Sequence, residues 1–370
     1  MCENHNGQFG GYIVSCKQPA TKDGKKLIFD RTEVILLDRR TNYHMHIPAV
    51  TNELCTECGT QPPDPDIVNE VKSLQTNFST NNINPDEHLQ PQPPPQQQGN
   101  TTISSDNRVA YAVCIHTPLH GERYDARYVI EYIELQLALG AQQIIFYVTD
   151  DPRIETLRSV LRLYEHLGVV TTIRWSIHEH IKPTAIWYMG QLLAVQDCLY
   201  RAIAAGVHHL ALHDLDELIV PERPDITSLP QLSAALWHLY PTASGFHVTP
   251  ELHRSSAHRA LSIFDSSDVY KVDADNFVRH LTKPLVRPER IFELGIHHIS
   301  KQLRERHRSR LAPPELVVMH HYSARFAAST AELVSTQQHG TRLLQTFRRT
   351  VDTNVRLVMQ HLRTGAVLAN

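Results

Sequence analysis

From residue 109 onward, short and nearly unbroken apolar runs alternate with longer stretches whose apolar positions recur every three to four residues. The runs 109–115 (VAYAVCI), 143–148 (QIIFYV), 169–175 (VVTTIRW) and 208–212 (HHLAL) have the length of strands. Between the first two, residues 125–139 place Tyr128, Val129, Tyr132, Ile133, Leu135 and Leu139 at helical spacing. The stretch ends at Gly140, a residue suited to the left-handed turn that closes a helix. Residues 154–167 and 184–205 predict two further helices, stopped by Gly168 and Gly206. Strands apolar on both faces and separated by helices predict an α/β domain with a mainly parallel, Rossmann-like sheet. Ligands bind such sheets at the carboxyl ends of the strands. From about Ala327 the tail reads as helix.

The N-terminal part has a different pattern. GGYIVSC and TEVILLDRR are short β-branched runs bounded by Gly, Lys and Asp, as strands are. Residues 1–78 therefore read as a small β-rich domain. Residues 79–107 are rich in Pro, Gln and Asn and almost free of large apolar side chains, so burial cannot offset their ordering entropy; they read as a disordered linker. Residues 108–330 form the α/β domain and 331–370 a helical extension. Asn77 and Asn100 begin Asn-x-Ser/Thr sequons in or beside the linker, which suits a lumenal protein.

Composition narrows the possibilities further. Hydrophobic residues make up 41% of the 370, enough for a real core, and the net charge of -3 gives no reason to expect nucleic-acid binding. No apolar run approaches the ~20 residues of a transmembrane helix. The first residues carry neither a basic nor an apolar segment of a signal peptide, so the expectation is an unsecreted soluble protein or a chain lacking its natural start. Six cysteines are too few for a disulfide scaffold. Cys55 and Cys58 form one Cys-x-x-Cys with no second pair, which favours a disulfide or free thiols over zinc.

The chemistry concentrates after the fourth strand, in His213-Asp214-Leu215-Asp216-Glu217. Side chains two apart on extended backbone share a face, and two adjacent carboxylates repel unless a cation lies between them. Oxygen ligands favour magnesium or manganese, which complete their octahedra with water and phosphate. The alternative is an ordinary acidic turn held by caps or salt bridges. A P-loop nucleotidase would need Gly-x4-Gly-Lys-Ser/Thr, which is absent. A phosphatase with an aspartyl nucleophile would carry its Asp-x-Asp after the first strand. A nucleotide-sugar transferase carries it midway, between a nucleotide-holding half and an acceptor-binding half, and that is the order here.

At these residues the chain resembles glycosyltransferase family 92. The matching stretches are VCIHTPLHG (113–121), VIEYIELQLALGAQQIIFYVTD (129–150), YMGQLLAVQDCLYRA (188–202), HLALHDLDELIVP (209–221), KPLVRPERIFELGIHHI (283–299) and VMHHY (318–322), in family order. The resemblance implies a GT-A fold, a UDP-sugar donor (UDP-galactose in characterised members), a glycan acceptor, Mn2+ and inversion at the anomeric carbon. It implies that Asp214 and Asp216 bind the metal and diphosphate, with His321 or His297 as a further ligand. Asp150, Gln191, Asp197, Lys283 and Arg287 are candidates for contacts to the donor, with Arg290 beside them. Glu251 is the candidate base, backed by Asp265 and Asp268, and Glu217 either shares that role or orders the metal turn. Arg304, Arg306, Arg308 and Arg310 form a basic loop. The family usually sits in the Golgi as a type II membrane protein, and these residues contain no such anchor. The family's late His-Tyr-Arg is here His321-Tyr322-Ser323, with arginine only at Arg325. The rival readings are a degenerate member that binds without turnover and a metal-dependent phosphohydrolase.

Overall fold

The computed structural model describes residues 33–38, 43–48, 109–175, 187–254, 262–265, 268–272, 281–322, 331–334 and 339–364. In the N-terminal part, β1 (Glu33–Asp38) and β2 (Tyr43–Pro48) form an antiparallel pair. GGYIVSC, Cys55, Cys58, both sequons, the linker and Arg325 lie outside the described residues.

The main sheet is built from β3 (Tyr111–Leu119), β4 (Gln143–Val148), β5 (Val170–Arg174), β6 (His209–His213), β8 (Ala243–Val248), β11 (Lys283–Val286) and β14 (Arg308–Leu311). Their order is β14-β8-β11-β6-β3-β4-β5. The four strands expected from the apolar runs pair in parallel, and β11 alone runs antiparallel to its neighbours β6 and β8. The Rossmann-like expectation therefore holds, with one reversed strand inserted. Arg308–Leu311, expected in a basic loop, instead forms the edge strand parallel to β8.

Helices cover both faces because β3 is apolar on both. Tyr111, Val113 and Ile115 belong to one buried cluster with side chains of α1 (Ala126–Ala138), α2 (Glu155–His166), α4 (Leu229–Leu239) and α5 (His339–Thr364), the last of which packs on α1. Ala112 and Cys114 meet α3 (Gln191–Ala204) on the other face, where Cys114 and Cys198 are joined by a disulfide. Burying each large aliphatic side chain contributes about 1.5–3 kcal/mol. Asp125 caps α1 by accepting the Tyr128 N–H at 2.7 Å, and Gly140 follows the helix with φ of +91°.

Two helix boundaries differ from expectation. Tyr188, Met189 and Gly190 are all left-handed, at φ 40°, 56° and 80°, so α3 starts at Gln191 rather than at 184. The Trp175 indole N–H donates to the Met189 carbonyl at 2.7 Å and helps hold that turn. The tail is not helical throughout. Ala331–Val334 is β16, the edge of a second sheet of order β16-β10-β9-β15-β7. Its other members are β7 (Glu217–Pro221), β9 (Pro250–Arg254), β10 (Asp268–Val272) and β15 (Val317–Tyr322). A hairpin of β12 (Ile291–Leu294) and β13 (Ile299–Gln302) completes the described strands.

Burial of His209 against Trp237, whose ring centroid lies 4.6 Å away, lowers its pKa to about 4. Burial lowers that of His247 as well. Between the ordinary imidazole value of about 6.5 and the lower folded value, the unfolded chain binds more protons than the folded one. Stability is therefore complete above about pH 6.5 and falls as the pH drops towards 4. Thermal unfolding followed from pH 7.5 to 4.5 is expected to show a falling Tm, with a shallower slope in His209→Gln.

Candidate active site

The site forms where two ladders let go. β3 pairs with β6 as far as Ile115 opposite His213, and its pairing with β4 resumes only at Leu119 opposite Val148. The intervening His116 and Thr117 are thereby released from the ladder beside Asp214. The Thr117 hydroxyl donates to Asp214 Oδ1. Gln191, the first residue of α3, donates through Nε2 to Thr117 Oγ1 at 2.6 Å and to Asp214 Oδ1 at 3.4 Å. His116 Nδ1 lies 3.9 Å from the same oxygen.

Lys283 closes the cluster from β11. Its side chain is 0% exposed, and Nζ lies 2.7 Å from Asp214 Oδ2 and 3.1 Å from Glu217 Oε2. Antiparallel pairing with β6 is what brings the first residue of β11 to the carboxyl end of the parallel strands. Glu217 also accepts the Asp214 N–H at 2.7 Å, so its carboxylate braces the turn from inside. The turn is stitched to the second sheet through the Tyr322 N–H, which donates to the Asp216 carbonyl at 2.8 Å. His321 pairs with Glu217 across β15 and β7 and places Nδ1 3.7 Å from Glu217 Oε1. Arg123 approaches from the β3–α1 loop, 3.6 Å from Asp216 Oδ2.

Charge is unevenly compensated in this cluster. Burial alone would raise the Asp214 pKa, but Lys283 and its other partners hold it well below the usual carboxylate value. Burial would likewise neutralise Lys283, and the two carboxylates keep it protonated. Burial raises the Glu217 pKa against the pull of Lys283. Burial lowers His116 to about 3, so this imidazole is neutral at ordinary pH. Asp214, Asp216 and Glu217 face two side-chain cations, Lys283 and Arg123. With all three carboxylates ionised the turn keeps a negative excess. Asp216 stays 19% exposed, and the Arg123 contact is longer than a hydrogen bond. Carboxylate oxygen and neutral imidazole are the donor types that manganese accepts, so these residues fit a divalent cation.

Of the residues singled out in the sequence, the fold gathers Asp214, Asp216, Glu217, Gln191, Lys283 and His321. His297 stands one layer back, its Nδ1 3.3 Å from the carbonyl of Thr282. Asp197 is taken by the Tyr147 hydroxyl at 2.7 Å and Arg201 at 2.6 Å, which gives it a role in packing α3. Asp150 lies two residues past the end of β4 but is exposed and paired with Arg174. Asp265 pairs with Arg348 of α5. Arg290 donates to the carbonyls of Pro241 and Ala243, both at 2.7 Å.

Two candidates are displaced by the geometry. Arg287 follows the far end of β11 from Lys283 and lies over the Trp237 ring at 5.2 Å. It is therefore expected to have little to do with the donor: Arg287→Ala should leave the KM for donor within about twofold and cost at most about 1 kcal/mol of stability, the scale of a cation–π contact. Glu251 sits on β9 opposite His320 and is 3% exposed. His320 and His321 point to opposite faces of β15. Glu251 thus lies on the face away from Glu217, poorly placed to receive a proton from an acceptor. Glu217, buried and braced, positions the turn.

Sequence reasoning missed His116, Thr117 and Arg123. All three lie at or just past the carboxyl end of β3, where the rule for parallel sheets directs attention.

The family model for glycosyltransferase family 92 matches residues 109–360. The Caenorhabditis elegans beta-1,4-galactosyltransferase galt-1 is 26% identical over 251 residues, covering 66% of this chain and 56% of that protein. The match thus spans little more than half of the relative. Among solved structures, a Leptospira borgpetersenii cytidylyltransferase aligns at 10% identity with a TM-score of 0.29, covering 71% of this chain and 97% of its own. A 4-diphosphocytidyl-2C-methyl-D-erythritol synthase aligns at 11% identity with a TM-score of 0.25, covering 49% and 76%. With the family match extending over the main sheet, the second sheet and most of α5, the chain belongs to glycosyltransferase family 92.

Proposed function

We propose that this chain is an inverting, manganese-dependent glycosyltransferase that moves galactose from UDP-galactose to a glycan acceptor. The observation that carries this reading is the Asp214–Asp216–Glu217 turn at the carboxyl end of β6, with Lys283 buried behind it. Asp214, Asp216 and His321 would hold the metal. When bound, manganese offsets the charge that develops on a departing diphosphate. The residues of the chain do the rest. Thr117, Gln191 and Lys283 fix both oxygens of Asp214 before substrate arrives, so no reorganisation is needed there during reaction. Lys283 and Glu217 set the angle of the turn. Arg123 adds a positive charge at its open side, where a diphosphate would lie.

Residence in the Golgi lumen fits the disulfide between Cys114 and Cys198, since such bonds persist in oxidising compartments. No helix among the described residues is long and apolar enough to cross a membrane.

The donor and the stereochemistry are tested together. The chain is incubated with manganese, a glycan array and, in turn, UDP-galactose, UDP-glucose and UDP-N-acetylglucosamine, and the product linkage is read by NMR. A β-linked galactose product from the α-linked donor supports the reading. An α-linked product would overturn inversion, and exclusive use of another sugar would overturn the donor.

A further inference from the structure

The second sheet carries a polar cluster that the catalytic reading does not use. β9 and β15 run parallel, with His320 opposite Glu251 and Tyr322 opposite His253. Alternate side chains of a strand share a face, so Glu251, His253, His320 and Tyr322 all project from one side. His321 projects from the other, towards Glu217 and the Asp-x-Asp turn. The cluster is therefore separated from the candidate active site by the sheet itself.

Its members are deeply buried: Glu251 is 3% exposed, His253 2% and His320 0%. One ligand atom from each lies within 4.8 Å of the others. The Tyr322 hydroxyl lies 3.1 Å from His320 Nδ1, which fixes the ring and leaves Nε2 as its outward nitrogen. Among the described residues that Nε2 makes no hydrogen bond, and Glu222 Oε1 lies 3.8 Å from it. Glu222 follows β7 directly and also accepts the Gly340 N–H of α5 at 3.2 Å. Burying a carboxylate against two imidazoles removes all three from water, a cost that a shared cation would offset.

We propose that Glu251, His253 and His320 bind a structural zinc ion, with Glu222 as the fourth ligand. Two imidazole nitrogens and carboxylate oxygens suit the tetrahedral preference of zinc, whereas magnesium favours six oxygens in an octahedron. Tyr322 holds the tautomer of His320, as the partner of a metal-bound histidine commonly does. The ion would join β9 and β15, and through Glu222 it would join them to the end of β7 and the first turn of α5. It would differ from the proposed active-site cation in burial and in the face of the sheet it occupies.

The test uses the full chain, both natural and with Asp216→Ala to disable the active-site cation. Each is loaded with zinc, desalted, and assayed for metal by mass spectrometry. One equivalent of zinc is expected in both. X-ray absorption at the zinc edge should show only nitrogen and oxygen neighbours, with the scattering signature of two imidazoles. His253→Gln combined with His320→Gln should weaken zinc binding by more than about 100-fold, the upper range for losing a group that only orients a metal ligand. Less than a tenth of an equivalent in the natural chain would overturn the proposal. So would sulfur in the coordination shell, which would place the ion on cysteine, or retention of zinc in the double variant. If the double variant does not fold, the absorption spectrum of the natural chain decides alone. Glu251→Gln separates this role from base catalysis: zinc loss supports a ligand, while lost turnover with zinc retained contradicts it.

Discussion

Lys283→Met is expected to destabilise the fold by about 3–5 kcal/mol, the usual cost of removing one partner from a buried ion pair. The magnitude follows from what would remain. Asp214 Oδ2 and Glu217 Oε2 would face each other with no cation at 2.7 and 3.1 Å to compensate them. Both would be driven to protonate, and the turn that positions Asp216 would loosen. Activity should be lost even at temperatures where the variant remains folded. Adding Glu217→Gln should recover part of the stability, because it removes one of the stranded charges, and the two substitutions should therefore be non-additive. Urea unfolding of the three proteins checks this. A loss below about 1 kcal/mol in Lys283→Met would show that the lysine is a peripheral pair rather than the brace of the site.

Asp216→Ala should behave in the opposite way. This carboxylate is partly exposed and its ion pair with Arg123 is long, so its removal should cost less than about 1 kcal/mol of stability. Its effect on turnover should be far larger. Loss of a group that stabilises charge developing in the transition state costs typically about 10²–10³ in kcat. Steady-state kinetics on a variant with a near-native Tm distinguishes this from unfolding. The two substitutions thus separate the brace from the chemistry: one acts on stability and activity together, the other on activity alone.

Much of the main sheet could be read in the sequence because its strands are buried on both faces. Runs such as QIIFYV have the length and apolar continuity of strands buried on both faces, and Gly140, Gly168 and Gly206 mark helix ends by their positive φ. The Asp-x-Asp turn was legible for the same reason: it follows directly on such a strand. What the sequence obscured depends on long-range pairing. Nothing local distinguishes Lys283 from Arg287, four residues away. Only the antiparallel register of β11 against β6 buries the first at the site and carries the second to the opposite end. Glu251 follows an apolar strand, as a base might, but parallel pairing with β15 turns it towards His320. The Arg308–Leu311 strand was hidden by its charge, which is tolerated because an edge strand faces water. Tyr188 and Met189 lie in a stretch of good helical pattern, and their left-handed backbone has no local sequence signal.

The central claim is that the turn at Asp214 and Asp216 holds a nucleotide-sugar donor for transfer. The most direct test is UDP release from UDP-galactose with manganese and a glycan array, comparing the natural chain with Asp216→Ala. The account predicts release that requires an acceptor, is abolished by EDTA, and falls at least about a hundredfold in the variant. Equal release by both proteins, or no nucleotide-sugar binding by the natural chain with manganese present, would contradict it.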